Sequence, residues 1–478
     1  MVLVFVSVAI WVLFSRLRVW FIRLMPVAFV VTVLLQLVLL LSTDLMIRSD
    51  AAMVFNGAMN LVNKAVISQY LTENTNNLAL FLYERSFYHL FGAKAIWVLQ
   101  AINMLFVDSA AIGLYLVEKR FFNQRTAVLS YYSYLVLLAA TPQFLAMYTD
   151  IMALPLIMWQ LLLTLSLLLK KKSRIDVILS QSLLLGILSG LAFYIRPPLL
   201  VLIIAFFLIL LVYGKFKLLG QVIVGFGIGF SLLVVSLQYT QSHQKEVAIQ
   251  SGQSKTLLSF IDLGLTSTGT DQADFQAGLA GFVTPKMDGS YDGRYDKSVV
   301  LKDIKRRLAA YNSSTFTDHL LLKGRLTLQD GTLGWTYKDA SLEGAFYQNP
   351  LYKRFKDIPL AVWVRNHLIY TDQEEFQFSR DYLQMTWLFL ILGLVLFSLF
   401  PTTFGMKEHF LILSLLGGLL FLMIFEGGKT RYLIQFSPQI FLLSALGFQS
   451  FLNLIENNRS SKRFVVSFKD KLMKHYKS

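Results

Sequence analysis

The chain reads as a mainly α, polytopic transmembrane bundle. Of its 478 residues, 55% are apolar and only 15% charged, with a mean hydropathy of +0.56. The apolar residues gather into runs near the ~20 residues that cross a bilayer. Charge placement is the third observation. The net charge is +15, yet residues 240–383 hold equal numbers of Lys/Arg and Asp/Glu, so the excess lies between the apolar runs and at the C-terminus. Short cytoplasmic loops carry that bias. No basic stripe is interleaved with stacking aromatics, so nucleic acid is not an expected partner.

Spans are predicted near 25–43, 95–117, 126–147, 151–169, 177–195, 199–213, 218–239, 384–400, 409–425 and 432–454. Residues 2–14 are apolar but short, and with them the count is about ten or eleven. They read as half a span rather than a secretory signal, because Arg16 and Arg18 follow the run and no basic residue precedes it. Arg16, Arg18, Arg23, Lys119, Arg120, Arg125, Lys170, Lys171, Lys172, Arg174, Lys215, Lys217, Lys407 and the basic tail all fall in alternate connections. Placing them in the cytoplasm puts 44–94, 142–150, Arg196-Pro197-Pro198, 240–383 and 426–431 outside.

Four units follow. Residues 1–239 form a transmembrane module whose first external loop, 44–94, is expected to hold two amphipathic interfacial helices. Their stripes are Met53, Ala58, Leu61, Val62, Ala65 and Val66, then Leu78, Phe81, Leu82, Phe87 and Phe91. Residues 240–383 read as a small mixed α/β extracytoplasmic domain, with Asp-Gly turns at 288, 292 and 330 and a charged helix over 298–311. Residues 384–455 form a second membrane module, and 456–478 a basic cytoplasmic tail.

There is no cysteine, and the six histidines are scattered without zinc spacing. Asp288, Asp292 and Asp296 recur every four residues, not every two as in an EF-hand, so turn chemistry explains them better than calcium. The informative polar residues lie at the predicted outer face. Asp50 follows a long apolar run, where a carboxylate stays ionised and can act as a base; capping the next helix is its other reading. Tyr148-Thr149-Asp150 opens another run, and Asp150 is either a cap or a second acid able to orient an acceptor or hold a divalent ion. No other cofactor is called for. Glu426-Gly427-Gly428-Lys429-Thr430-Arg431-Tyr432 packs charges and glycines into a short turn. The glycine N–H groups, Lys429 and the Arg431 fork suit a phosphate, whereas snorkelling is the plainer reading. Arg196 is a further phosphate candidate or an interfacial anchor. Asp108, inside a span, reads as a hydrogen-bonded structural acid with Asn103 or a serine as partner.

In order along the chain, these motifs resemble the GT-C integral-membrane glycosyltransferases, which include protein O-mannosyltransferases and the lipid A aminoarabinose transferase. The likeness rests on Arg48-Ser49-Asp50, Phe55-Asn56-Gly57-Ala58, Asn74-Thr75-Asn76-Asn77-Leu78 and Phe91-Gly92. Tyr148-Thr149-Asp150, Arg196-Pro197, Glu426 and Arg431-Tyr432 extend it from 44 to about 450. A Gram-positive, exosortase-associated subgroup is also similar. Ala51 stands where the mannosyltransferases pair a second acid with the first. No residue clearly matches the first-loop phosphate-binding lysine, with Arg85 and Lys64 the nearest candidates.

The resemblance implies a polyprenyl-phosphate-linked sugar as donor, a glycan, lipid or protein as acceptor, and inverting transfer at the outer face of a bacterial cell membrane. Asp50 would be the base and Asp150 a second catalytic acid. Arg431, Lys429 and Arg196 would hold the donor phosphate, supported by Asn76, Asn77, Tyr148, Glu426 and Tyr432. The competing classes are another envelope polysaccharide polymerase or ligase, and a lipid-linked sugar transporter or flippase.

Overall fold

The computed structural model describes residues 2–43, 47, 49–170, 174–286, 290–334, 350–400 and 404–454. Asp44, Arg48, the Asp288-Gly289 turn and the basic tail lie outside them. α1 (Val2–Ser42) is unbroken despite Pro26. The short apolar segment 2–14 is therefore the first part of one helix roughly 60 Å long.

Three helices, α2 (Ser49–Ala58), α3 (Lys64–Glu73) and α4 (Leu78–Phe91), replace the two expected in the first loop. α2 does not lie along a surface: Ala51, Ala52, Val54 and Phe55 are buried, whereas Leu61 and Val66 of the predicted stripe are exposed. α4 runs on through Gly92–Lys94 into α5 (Ala95–Phe121).

α6 (Gln124–Tyr134) passes into a π turn, Leu135–Ala139, and stops. Thr141 is extended because it precedes Pro142, which disfavours helical backbone at that position. The predicted span 126–147 is broken for that reason. α7 (Thr149–Leu168), α8 (Ile175–Ile195), α9 (Leu200–Val212) and α10 (Phe216–His243) complete the first module. α17 (Phe376–Leu399), α18 (Met406–Ile424) and α19 (437–454) form the last.

Among the described residues seven helical segments are long and apolar enough to cross a membrane: Val19–Ser42, Thr75–Phe121, Thr149–Leu168, Ile175–Ile195, Phe216–His243, Phe376–Leu399 and Met406–Ile424. Each matches a predicted span. The other three predicted spans are interrupted or short, with α9 only 13 residues and the last run opening as a 3-10 turn, Thr430–Phe436.

The described part of 240–383 is helical and contains no strand, so the expected mixed α/β domain is not what these residues build. It comprises α11 (Leu257–Gly264), α12 (Gln272–Ala280), α13 (Lys297–Ala309), α14 (Ser313–Leu328), α15 (Pro350–Phe355) and α16 (Pro359–Leu368). Caps explain the choice. Asp271 accepts from the amides of Ala273 and Asp274, and Asn312 closes a capping box with Thr315. α13 is the charged helix predicted over 298–311.

Inside this unit Arg307 is buried against three carboxylates, Asp262 at 3.0 Å, Asp274 at 3.0 Å and Asp303 at 2.9 Å. Arg306 also pairs with Asp303 at 2.6 Å, so three acids against two guanidiniums leave negative charge in excess. Burial, then the neighbouring Asp303, pushes the Asp262 carboxyl up to about 7.

Two cations from this unit seal spanning-helix ends. Lys323, 1% exposed, donates to the carbonyls of Met423 (2.8 Å) and Phe425 (3.0 Å) at the end of α18, and to Gly264 (2.9 Å). Arg365 donates to the Ser42 carbonyl at the end of α1, 2.9 Å away. Terminal carbonyls lack helical partners and carry the negative end of the dipole, so a buried cation there satisfies both needs. Burial holds the Lys323 ammonium down at about 8.

Within the membrane, α8 and α10 pack through small residues. A Cβ on Gly229 would lie 2.1 Å from the Leu183 carbonyl oxygen, and one on Gly186 would lie 2.2 Å from that of Phe226. This is a small-residue crossing, in which backbone proximity replaces the hydrophobic drive that lipid removes.

Gly229→Ala should lower the thermal unfolding temperature of the solubilised protein. Gly227→Ala, where the new methyl meets nothing within 4 Å, should leave that temperature unchanged or raise it, since alanine favours the helix by up to ~1 kcal/mol. A second expectation concerns pH. Because the folded state holds the Asp262 proton more tightly, it binds more protons than the unfolded chain between the ordinary value of 3.8 and about 7. The Asp262 contribution therefore falls as pH rises through that window. Asp262→Asn, which mimics the protonated acid, should flatten this dependence in unfolding measured across the window.

Candidate functional site

Asp50 lies in the first turn of α2 and is exposed. Its carboxylate favours the positive end of that helix. It accepts a 2.8 Å hydrogen bond from the Tyr70 hydroxyl of α3. That hydroxyl in turn accepts from Asn77 Nδ2 at 2.7 Å, and Asn77 Oδ1 accepts from the Tyr148 hydroxyl at 3.4 Å. The donors all run one way. Asn77 occupies the oxygen of Tyr70 and leaves its proton for Asp50, and Tyr148 does the same for Asn77. Burial, then the Asp50 charge, pushes the Tyr70 phenol above its usual range, so it remains a neutral donor.

Tyr148 carries the connection onward. Its ring lies 5.7 Å from the Arg431 guanidinium carbon, which is also 5.2 Å from the Tyr432 ring. Tyr432 is buried, and its hydroxyl donates to Glu426. The Glu426–Tyr432 turn therefore folds against the same end of the bundle as Asp50. It can do so because a Cβ on Gly427 would meet the Leu422 carbonyl at 2.1 Å and Gly428 holds a φ of +88°. Of the two glycine amides expected to cradle an anion, that of Gly428 is already taken, donating to Thr327 Oγ1 at 3.0 Å. Lys429 is exposed.

Arg196 follows α8, where Pro197-Pro198 end the helix. The turn sends its side chain onto the start of α7. There it pairs with Asp150 at 2.5 Å and donates to Thr149 Oγ1 at 3.1 Å and Gln435 Oε1 at 3.0 Å. It also lies 5.8 Å from the Tyr432 ring. Asp150 is fully buried and Arg196 only 11% exposed. Asp150 thus does not cap the helix, the cap position being Tyr148. It is the counter-ion of Arg196.

Asp50, Asn77, Tyr148, Asp150, Arg196, Glu426, Arg431 and Tyr432 accordingly share one end of the bundle. Asn76 is exposed and adds no hydrogen bond among the described residues. Arg85 and Lys64 do not enter the network: Arg85 pairs with Glu246 at 2.7 Å, and Lys64 donates to the Lys245 carbonyl at 3.3 Å. Tyr70, Thr149 and Gln435 were not singled out from sequence. Thr149 lay inside a flagged motif, while nothing local distinguishes Tyr70 or Gln435.

Beside this network opens a polar cleft of about 1150 Å³, lined by Asp330, Thr332, Glu374, Gln377, Arg380 and Gln384 among others. The turn at 330–334 forms the wall between them: Asp330 accepts from Thr332 on the cleft side, and Gly334 lies against Arg431. Asp50, Asp150 and Arg431 do not line the cleft. No group of three or more His, Asp or Glu among the described residues is placed to hold a metal ion.

Basic residues collect at the opposite end. Lys407 donates to the Phe121 carbonyl at 2.6 Å, and Tyr213 meets His409 at 2.6 Å. Inside the bundle, Asp108 accepts from Gln36 Nε2 at 3.0 Å, not from Asn103, which bonds the Phe144 and Ala146 carbonyls.

Residues 1–451 match the family described as conserved hypothetical integral membrane protein. The chain belongs to that family. No curated protein matches it, and no solved structure does. Membership in this integral membrane family accords with seven membrane-length helices and covers the whole polar network.

Arg196→Ala strands a buried carboxylate and should cost roughly 3–5 kcal/mol of stability. Arg196→Met combined with Asp150→Leu should cost less than the single change, read from thermal unfolding in detergent.

Proposed function

We propose that this membrane protein is a glycosyltransferase that moves a sugar from a polyprenyl-phosphate donor to an acceptor hydroxyl at the outer face. The observation that supports this reading most is the directed chain Tyr148–Asn77–Tyr70–Asp50, which starts against Arg431 and ends on an exposed carboxylate. It joins a base to a cation through residues from four separate segments.

In this mechanism Asp50 takes the proton of the acceptor hydroxyl. The oxygen attacks the anomeric carbon opposite the phosphate, the bond from that carbon to the phosphate oxygen breaks, and its electron pair leaves with the polyprenyl phosphate. Configuration inverts. The leaving phosphate stays anionic and needs cations more than an acid. Arg431 is the leading candidate. Arg196 is already paired with Asp150 and contributes less charge, and exposed Lys429 could reach the phosphate from solvent. The neighbouring cleft has room for an acceptor, and the lipid tail would lie among the spans.

A lipid-linked sugar flippase is the second reading, favoured by the buried Gln100, Asp108 and Glu118 along α5. The two part on chemistry. Purified protein given polyprenyl-phosphate sugars and candidate acceptors should release polyprenyl phosphate. Asp50→Asn should cut kcat by ~10²–10⁴ without loss of folded protein. Full turnover in that variant removes Asp50 as the base. Arg431→Ala should raise the donor KM, and an unaltered donor dependence would count against its phosphate role. Translocation of the lipid-linked sugar without release would favour the flippase.

A further inference from the structure

At the basic end of the bundle, far along the helices from the Asp50 network, α9 and α18 leave a groove between them. It measures about 440 Å³ and is walled by Ile209, Val212, Ile412, Leu413 and Leu416, with Tyr213 and His409 at one end. Such a volume suits part of a small ligand or one lipid chain. Its rim is open to the bilayer: Val212 is 78% and Leu416 57% exposed.

The polar end of the groove carries charge. The Tyr213 hydroxyl meets His409 Nδ1 at 2.6 Å. Gly214, with a φ of +62°, turns the chain immediately afterwards, and the next residues include Lys215 and Lys217, both exposed. From α18 comes Lys407, held by the Phe121 carbonyl at 2.6 Å and by the Phe122 ring at 4.4 Å. Glu408 is the nearby acid. It caps the Gly405 amide at 2.9 Å and stands 3.7 Å from Lys407, which leaves the two exposed lysines unmatched by it.

Helix length adds a second argument. The apolar helix Pro197–Val212 is shorter than the other spanning helices. At roughly 24 Å it does not cover a ~30 Å hydrocarbon core. The turn that follows is drawn toward the hydrocarbon, and its lysines with it. A cation at that depth is stabilised by a partner that brings an anion on an apolar stem.

We infer that the α9–α18 groove binds an anionic phospholipid, one acyl chain along Ile209, Ile412, Leu413 and Leu416 and the phosphate at Lys215 and Lys217 beside the Tyr213–His409 pair. This site does not depend on the transfer chemistry proposed above. The occupant is amphipathic, because the wall is apolar and the lysines just beyond Tyr213 attract an anion.

The test uses the full purified chain in detergent, with bound lipid counted by native mass spectrometry. Dioleoyl phosphatidylglycerol and dioleoyl phosphatidylcholine share tails and differ in net charge. Wild type should retain the first over the second by roughly 30-fold, from two lysines near an anionic headgroup. Lys215→Glu with Lys217→Glu should abolish that preference, and both positions are exposed, so the fold is not at stake. Leu413→Trp should empty the groove and reduce retention of both lipids while the lysines remain. Equal retention of the two lipids by wild type overturns the inference, as does a preference that survives the charge reversal. Displacement of the lipid by millimolar glycerol phosphate would also overturn it, since the mouth would then be an anion site that needs no chain.

Discussion

The Asp150–Arg196 ion pair is the constraint around which the polar end of the bundle is arranged. It joins the first turn of α7 to the residue that follows α8, with the carboxylate fully buried. Two opposite charges removed from water together must have their remaining hydrogen bonds satisfied, or the desolvation cost exceeds the attraction. Thr149 and Gln435 meet that need for Arg196, whereas Asp150 has only the Arg196 ion pair among the described residues and depends on it. Gln435 belongs to the same 3-10 turn as Arg431 and Tyr432, so satisfying the pair also fixes where those two stand. From there the ring of Tyr148 reaches Asn77, Tyr70 and finally Asp50.

The same physics appears at the other helix ends. Lys323 closes α18, Arg365 closes α1, and Lys407 closes α5. Each is a cation delivered to carbonyls that no helical amide can reach. Two of them come from the segment between the membrane modules, so that segment is tied to the bundle by charge as well as by packing. Snorkelling is the default expectation for such residues, and here their hydrogen bonds to the terminal carbonyls show that capping is what they do.

Much of this was legible. Seven spans, the sorting of the basic residues to one end and the flagged acids and arginines to the other follow from length, hydropathy and charge. The misreadings have local causes. Thr141-Pro142 broke a run whose composition looked continuous. Residues 240–383 carry Asp-Gly turns, which accompany strands and helices alike, and the caps at Asp271 and Asn312 decided for helices. The stripe through Met53 and Ala58 implied a helix with one apolar face, whereas α2 is buried nearly all round, Ala51, Ala52, Val54, Phe55 and Ala58 included, because α3 and α4 cover its other sides.

By itself the sequence determined that this is a membrane bundle, where the seven membrane-length helices lie, and that one end holds the unusual polar residues. Those properties depend on transfer free energy, which is a sum over neighbouring residues. Tertiary structure alone decided the partners. That Asp150 serves Arg196, that Tyr70 holds Asp50, and that Lys323 closes a helix 100 residues away depend on which ends come together. Hydrogen bonds and ion pairs act over a few ångströms in a fixed direction, and no local pattern in the chain records that geometry.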